Sequence, residues 1–238
     1  MGTSCTVYVG TSGWVYDWNP DGLEWYASYS GLNAVELNAS FYRIPSRRMV
    51  ESWARKGAAL RWAVKVYRGV THVHRLNERG LQLLLKFLEV FKPMDTLIDF
   101  YLVQLPPGFR KTPENMRRVA EAVKTTGLGE RIAVEFRHES WFDKSTVEWA
   151  EKLGFTLVSI DAPIGTWIVA PRGTLYLRMH GRGVWYAYDY SSDELMDIAS
   201  RIAALAPRRT YVFFNNDHWM LDNARMMLRL LRDLLCRV

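Results

Sequence analysis

Hydrophobic and polar positions alternate along short runs of this chain, and the runs recur at regular intervals. In VELNASFYRIP (residues 35–45), Val35 and Leu37 face one way and Glu36 and Asn38 the other, because successive strand side chains point to opposite sides. Eight β-like runs follow one another: TVYVG (6–10), AVELN (34–38), RWAVKV (61–66), FYLVQL (100–105), IAVEFR (132–137), TLVSID (156–161), TLYLRMH (174–180) and TYVFFN (210–215). Helical spacing fills most of the intervals. Thr112 with Pro113 opens a helix that Gly127 closes. Ser191 with Glu194 predicts a capping box, and Asp143 caps a helix through Trp149 to Lys152. Met220, Leu221, Ala224, Met227, Leu228, Leu231 and Leu235 predict a last helix between Trp219 and Arg237. Two crossovers look irregular: 11–33, rich in Gly, Trp and Tyr, and 162–173, a short loop.

Strands that alternate with helices imply parallel pairing and a covered sheet. Eight such units in 238 residues predict a (β/α)8 TIM barrel, one domain over residues 1–238. An open doubly wound sheet is the alternative, but GTSGW after the first run is not the GxGxxG phosphate fingerprint.

In a barrel, the functional mouth lies at the C-terminal ends of the strands. The alternation turns Glu36, Asn38, Lys65, Gln104, Glu135, Arg137, Asp161, Arg178, His180 and Asn215 inward near those ends. A core built only for stability would not carry three carboxylates, three cations and a histidine, because buried charge is costly unless paired. This convergence is the strongest functional signal.

Composition changes the picture little. Hydrophobic residues make up 49% and charged residues 24%, as in soluble globular proteins, and no apolar run approaches the roughly 20 residues that span a bilayer. MGTSCTVYVGTSGW lacks the basic start and apolar stretch of a secretory signal, so a cytoplasmic location and no membrane partner are expected. The net charge of +6 permits an anionic partner, nucleic acid included, but the basic residues are spread as on solvated helix faces. Oligomeric state leaves no trace in the pattern. Cys5 and Cys236 stand at opposite ends of the chain; a barrel seam would bring them within disulfide reach, and two reduced thiols are the alternative.

GTSGW, VELNASFYR, QLPP, AVEFRHESW, RMHGR and FFNND, in this order over essentially the whole chain, resemble the DUF72 (YecE-like) family. The resemblance implies a TIM barrel. It also implies that Glu36, Asn38, Tyr42, Lys65, Gln104, Glu135, Arg137, His138, Trp141, Asp161, Arg178, His180, Asn215, Asn216 and Asp217 stand in family motif positions. It implies no particular reaction.

Three chemistries fit these residues. Glu36, Glu135, Asp161 and His180 suit a divalent metal (Mg, Mn or Zn), although no local ligand spacing supports it, and a neutralised network with Lys65, Arg137 and Arg178 is the alternative. The RMHGRG stretch offers Arg178, His180, Arg182 and two glycines to a phosphate, with Lys65 in support. Aromatic residues after the strands (Trp14, Tyr42, Trp141, Trp185 and Tyr186 among them) either stack on a base or sugar or anchor their own loops. His72 and His74 in RGVTHVHRL read as plain loop. The expected catalytic set is therefore Glu36, Glu135, Asp161 and His180. The expected substrate-binding set is Asn38, Tyr42, Lys65, Gln104, Arg137, His138, Trp141, Arg178, Asn215 and Asp217. Phosphoester hydrolysis on a nucleic acid or nucleotide is the leading expectation. Acid–base chemistry on a sugar or sugar phosphate, and a non-enzymatic nucleic-acid or metabolite binding module, are the alternatives.

Overall fold

A computed structural model of the chain describes residues 6–236. Each predicted run holds a strand: β1 (Val7–Ser12), β2 (Ala34–Leu37), β3 (Arg61–Lys65), β4 (Ile98–Gln104), β5 (Ile132–Glu135), β6 (Thr156–Ala162), β8 (Thr174–Met179) and β9 (Arg209–Phe214). A further short strand, β7 (Gly165–Trp167), pairs antiparallel with β6. It corrects the expectation of a plain loop over 162–173. The order β5-β4-β3-β2-β1-β9-β8-β6, with β5 also pairing β6, closes eight strands into a (β/α)8 barrel. Nearly every strand residue is buried, as parallel strands covered on both faces must be. Asn38, Arg137, His180 and Asn215 fall just beyond the strands rather than inside them.

The chain forms two compact units. The first runs to Glu36 and resumes at Val158; the second is Leu37–Leu157. In the first, Gly10 of β1 lies so close to β2 that a Cβ would stand 2.1 Å from the Ala34 carbonyl oxygen, so only glycine fits. Helix α1 (Gly22–Tyr29) is pinned by the Tyr26 hydroxyl, which accepts from the Thr11 N–H (3.0 Å) and donates to the Ala34 carbonyl (2.9 Å). Ser191 and Glu194 form the predicted capping box at the start of α7 (Ser192–Ala204). In α8 (Met220–Leu235), the predicted positions from Met220 to Leu231 are buried.

In the second unit, α2 (Ala39–Tyr42) and α3 (Arg47–Lys56) follow β2, and α4 (Glu78–Phe91) follows β3. Thr112 caps α5 (Pro113–Thr126), and Gly127 ends it in the left-handed region (φ 64°). Asp143 caps α6 (Lys144–Leu153) through the Thr146 N–H. Cys5, on which the disulfide question turns, lies outside the described residues.

Candidate active-site residues

In the first unit, Glu36 at the end of β2 is wholly buried and accepts four hydrogen bonds. Arg178 grips it with both prongs, Nη2 to Oε1 at 2.6 Å and Nε to Oε2 at 2.9 Å. The Ser12 hydroxyl donates to Oε1 (2.6 Å) and the Tyr176 hydroxyl to Oε2 (2.7 Å). A buried ion pair is tolerated when its remaining lone pairs are satisfied, and here they are. Glu36 therefore fixes the orientation of Arg178.

Arg178 turns Nη1 toward His180 Nε2 at 3.4 Å. A guanidinium can only donate, so this contact calls on the lone pair of Nε2. The Asn215 Nδ2 lies 3.5 Å from Nδ1. Trp185 and the edge of Tyr186 flank the imidazole, with ring centroids at 5.4 and 5.6 Å.

The His180 N–H donates to the Asp161 carbonyl (2.8 Å). The Asp161 carboxylate, also fully buried, accepts from Thr166 (2.9 Å) and from Arg182 Nε (3.0 Å). Burial pushes its pKa above the ordinary carboxylate value, outweighing the charge of Arg182 and both hydrogen bonds. Arg182 also reaches Glu194 (3.3 Å), which accepts from the Tyr188 hydroxyl (2.6 Å).

The expected phosphate cradle in RMHGRG is not available as drawn. Arg178 is committed to Glu36, and Arg182 to Asp161 and Glu194. The Gly181 N–H donates to the Tyr190 hydroxyl (2.8 Å). Gly181 is required instead by its left-handed backbone (φ 94°) and by Tyr188, whose Cβ would lie 2.5 Å from an added methyl. Asn216 braces the fold, donating to the Tyr188 carbonyl and to Asn223 Oδ1 (both 2.7 Å). Asp217 is half exposed beside His218.

In the second unit, Glu135 at the end of β5 is buried against Arg137, with which it forms a close ion pair. Lys65 at the end of β3 holds its ammonium 4.3 Å from the Phe41 ring centroid. Its carbonyl accepts from Ser40 (2.6 Å). Gln104 donates to the Leu105 carbonyl (2.9 Å), and His138 caps the turn Glu139–Trp141. Asn38 opens α2, and Tyr42 is exposed. Trp141 is not placed to meet a substrate. It is fully buried, stacks on Phe136 at 3.8 Å and donates Nε1–H to the Phe109 carbonyl.

His72, read from the sequence as plain loop, packs edge-on to Phe41 (5.0 Å) and bonds Thr71 Oγ1 (2.9 Å). Burial, then the charges of Lys65, Arg137, Arg68 and Arg75, lower its pKa to about 4. The signal for this basic cluster was the density of cations in RGVTHVHR.

Among the described residues, no three His, Cys, Asp or Glu side chains assemble a metal site. Of the residues that would suit a metal, Glu36, Glu135 and Asp161 each pair with an arginine.

The family described as protein of unknown function DUF72 matches residues 8–236. UPF0759 protein YunF of Bacillus subtilis (strain 168) is 27% identical, over 94% of each chain. A crystal structure of a DUF72 family protein from Thermotoga maritima MSB8 superposes with a TM-score of 0.83 at 28% identity, covering 95% of this chain and 99% of that one. One from Enterococcus faecalis V583 gives 0.77 at 22% identity, covering 99% and 100%, and speaks to the fold alone.

Proposed function

Because the chain belongs to the DUF72 family and folds as a (β/α)8 barrel, we propose that it is an acid–base enzyme acting on a phosphate-bearing substrate. Hydrolysis of a phosphoester in a nucleotide or nucleic acid is the reaction we assign to it. The observation that carries this reading is the buried carboxyl of Asp161, whose pKa burial raises, on the strand end whose backbone carbonyl accepts from the backbone N–H of His180. A carboxyl shifted in this direction is suited to moving protons.

In this scheme Asp161 takes a proton from the attacking water as the P–O bond to the leaving group breaks, and returns it to the leaving oxygen. His180 donates a ring N–H to the oxygen on which charge develops. Trp185 and Tyr186 supply faces for a base. Glu36 acts at one remove, through Arg178.

The same two residues also suit proton shuttling between neighbouring carbons of a sugar phosphate. A panel of nucleotides, oligonucleotides and sugar phosphates separates the two, with products identified by NMR. Asp161→Asn should lower turnover by about 100-fold or more, and His180→Ala likewise. Nucleic-acid binding that falls steeply with salt, without turnover and unmoved by Asp161→Asn, would make the chain a binding module and overturn the proposal.

A further inference from the structure

The segment after β3 is built in a costly way that nothing above accounts for. Gly69–Val73 is a π-helical turn, a geometry that recurs at functional sites. Arg75 and Leu76 then both take left-handed backbone (φ 44° and 57°), which side chains other than glycine adopt only under constraint. The constraint is visible. Leu76 is fully buried, its N–H donates to the Val70 carbonyl (3.0 Å), and the His74 N–H donates to the Gly69 carbonyl (3.0 Å). A Cβ on Gly69 would lie 2.4 Å from the Tyr67 ring and 2.9 Å from Leu83, so a side chain there would force these two to shift.

This contorted turn presents His72 to one part of the Phe41 ring while Lys65 sits over another. Arg75 lies close by in sequence, its Nη2 within 4.0 Å of where a Cβ on Gly108 would stand. The charges that lower the imidazole pKa, among the described residues, are those of Lys65 from β3, Arg68 and Arg75 from the turn, and Arg137 from beyond β5, itself paired to Glu135. A strained turn that sets a half-buried imidazole against the Phe41 ring, with the Lys65 ammonium on the same ring, is an arrangement suited to an anion.

We propose that Lys65, His72 and Arg75, walled by Phe41, form a binding site for a phosphate group. An ammonium supplies point charge, a guanidinium supplies a fork matched to phosphate oxygens, and the imidazole supplies a hydrogen bond. The site lies within the second unit. It rests on the functional reading only for the choice of phosphate as the ligand class, and it is tested without turnover.

The test is an NMR titration of His72 in the full-length protein, with inorganic phosphate as the probe and chloride at matched ionic strength as the control. A bound phosphate anion offsets the surrounding cations, so phosphate should raise the His72 midpoint from about 4 by more than about one unit, and chloride should not. Arg75→Gly, which suits the left-handed backbone there, should weaken phosphate binding about tenfold and leave the melting temperature without phosphate nearly unchanged. Lys65→Met should do the same to binding. An equal shift in phosphate and chloride means screening only and overturns the site, as does a midpoint that phosphate does not move. A phosphate-specific shift in a protein with no turnover would retain the site and reject the enzymatic reading. Turnover without the shift would do the reverse.

Discussion

His72 loses its proton far more readily in the folded chain than in water, and the consequence for stability has a definite sign. Its folded pKa, about 4, lies below the ordinary imidazole value of 6.5. Between those two values the unfolded chain binds more protons, so stability falls as pH falls from about 6.5 toward 4. His72→Gln should flatten that limb in a series of melting curves; an unchanged limb would contradict the assignment. Asp161 pulls the other way. Its raised pKa favours the folded state at low pH, and that contribution is lost as pH rises through the folded value. Glu36→Gln keeps the shape of the side chain but strips the charge that the buried Arg178 faces. A loss of about 3–5 kcal/mol in urea unfolding is expected, because the orphaned guanidinium stays out of water. Trp141→Ala should cost about 3–5 kcal/mol as a core truncation. A stable Trp141→Ala variant with weakened substrate binding would restore the role the sequence implied for it.

At the scale of elements, short-range signals were legible and long-range pairings were not. Thr112, Asp143 and Ser191 each cap the helix that the sequence assigned to them, since a cap is a contact between residues three apart. Ser191→Ala should accordingly remove about 1 kcal/mol from thermal stability. β7 escaped notice because three residues are too few to display alternation. The candidate charges were also found by alternation, yet nothing local says which cation a carboxylate will take. Glu135 meets Arg137, two residues away, whereas Glu36 meets a partner 142 positions distant. Gly181 was read as a free backbone donor, but its N–H is spent on Tyr190, a contact set by how the following loop folds back. The cluster at His72 is hidden in the sequence because RGVTHVHRL has no periodicity and reads as loop. Its cations come from β3, from beyond β5 and from the turn itself, residues far apart along the chain.

For the molecule as a whole, the +6 charge is less potent than it looks. Much of the basic surface is answered one helical turn away, as in Arg47 with Glu51, Arg118 with Glu114 and Lys144 with Glu148. Such faces do not make a broad phosphate-tracking stripe. Binding to nonspecific duplex DNA should therefore show a shallow salt dependence, with log K falling by less than about 3 per decade of salt. A much steeper slope would point to a polymer rather than a small phosphorylated molecule as substrate. The knot of Glu36, Arg178, Ser12 and Tyr176 bears on time as well as on free energy. With so much chain between its carboxylate and its guanidinium, it can close only after most other contacts are in place. Interactions absent from the folding transition state govern the rate of opening and leave the rate of closing alone. In a chevron plot, Glu36→Gln should lift the unfolding limb by nearly its whole effect while the refolding limb barely moves. The buried carboxylate is a latch against opening, and its loss should shorten the lifetime of the native state.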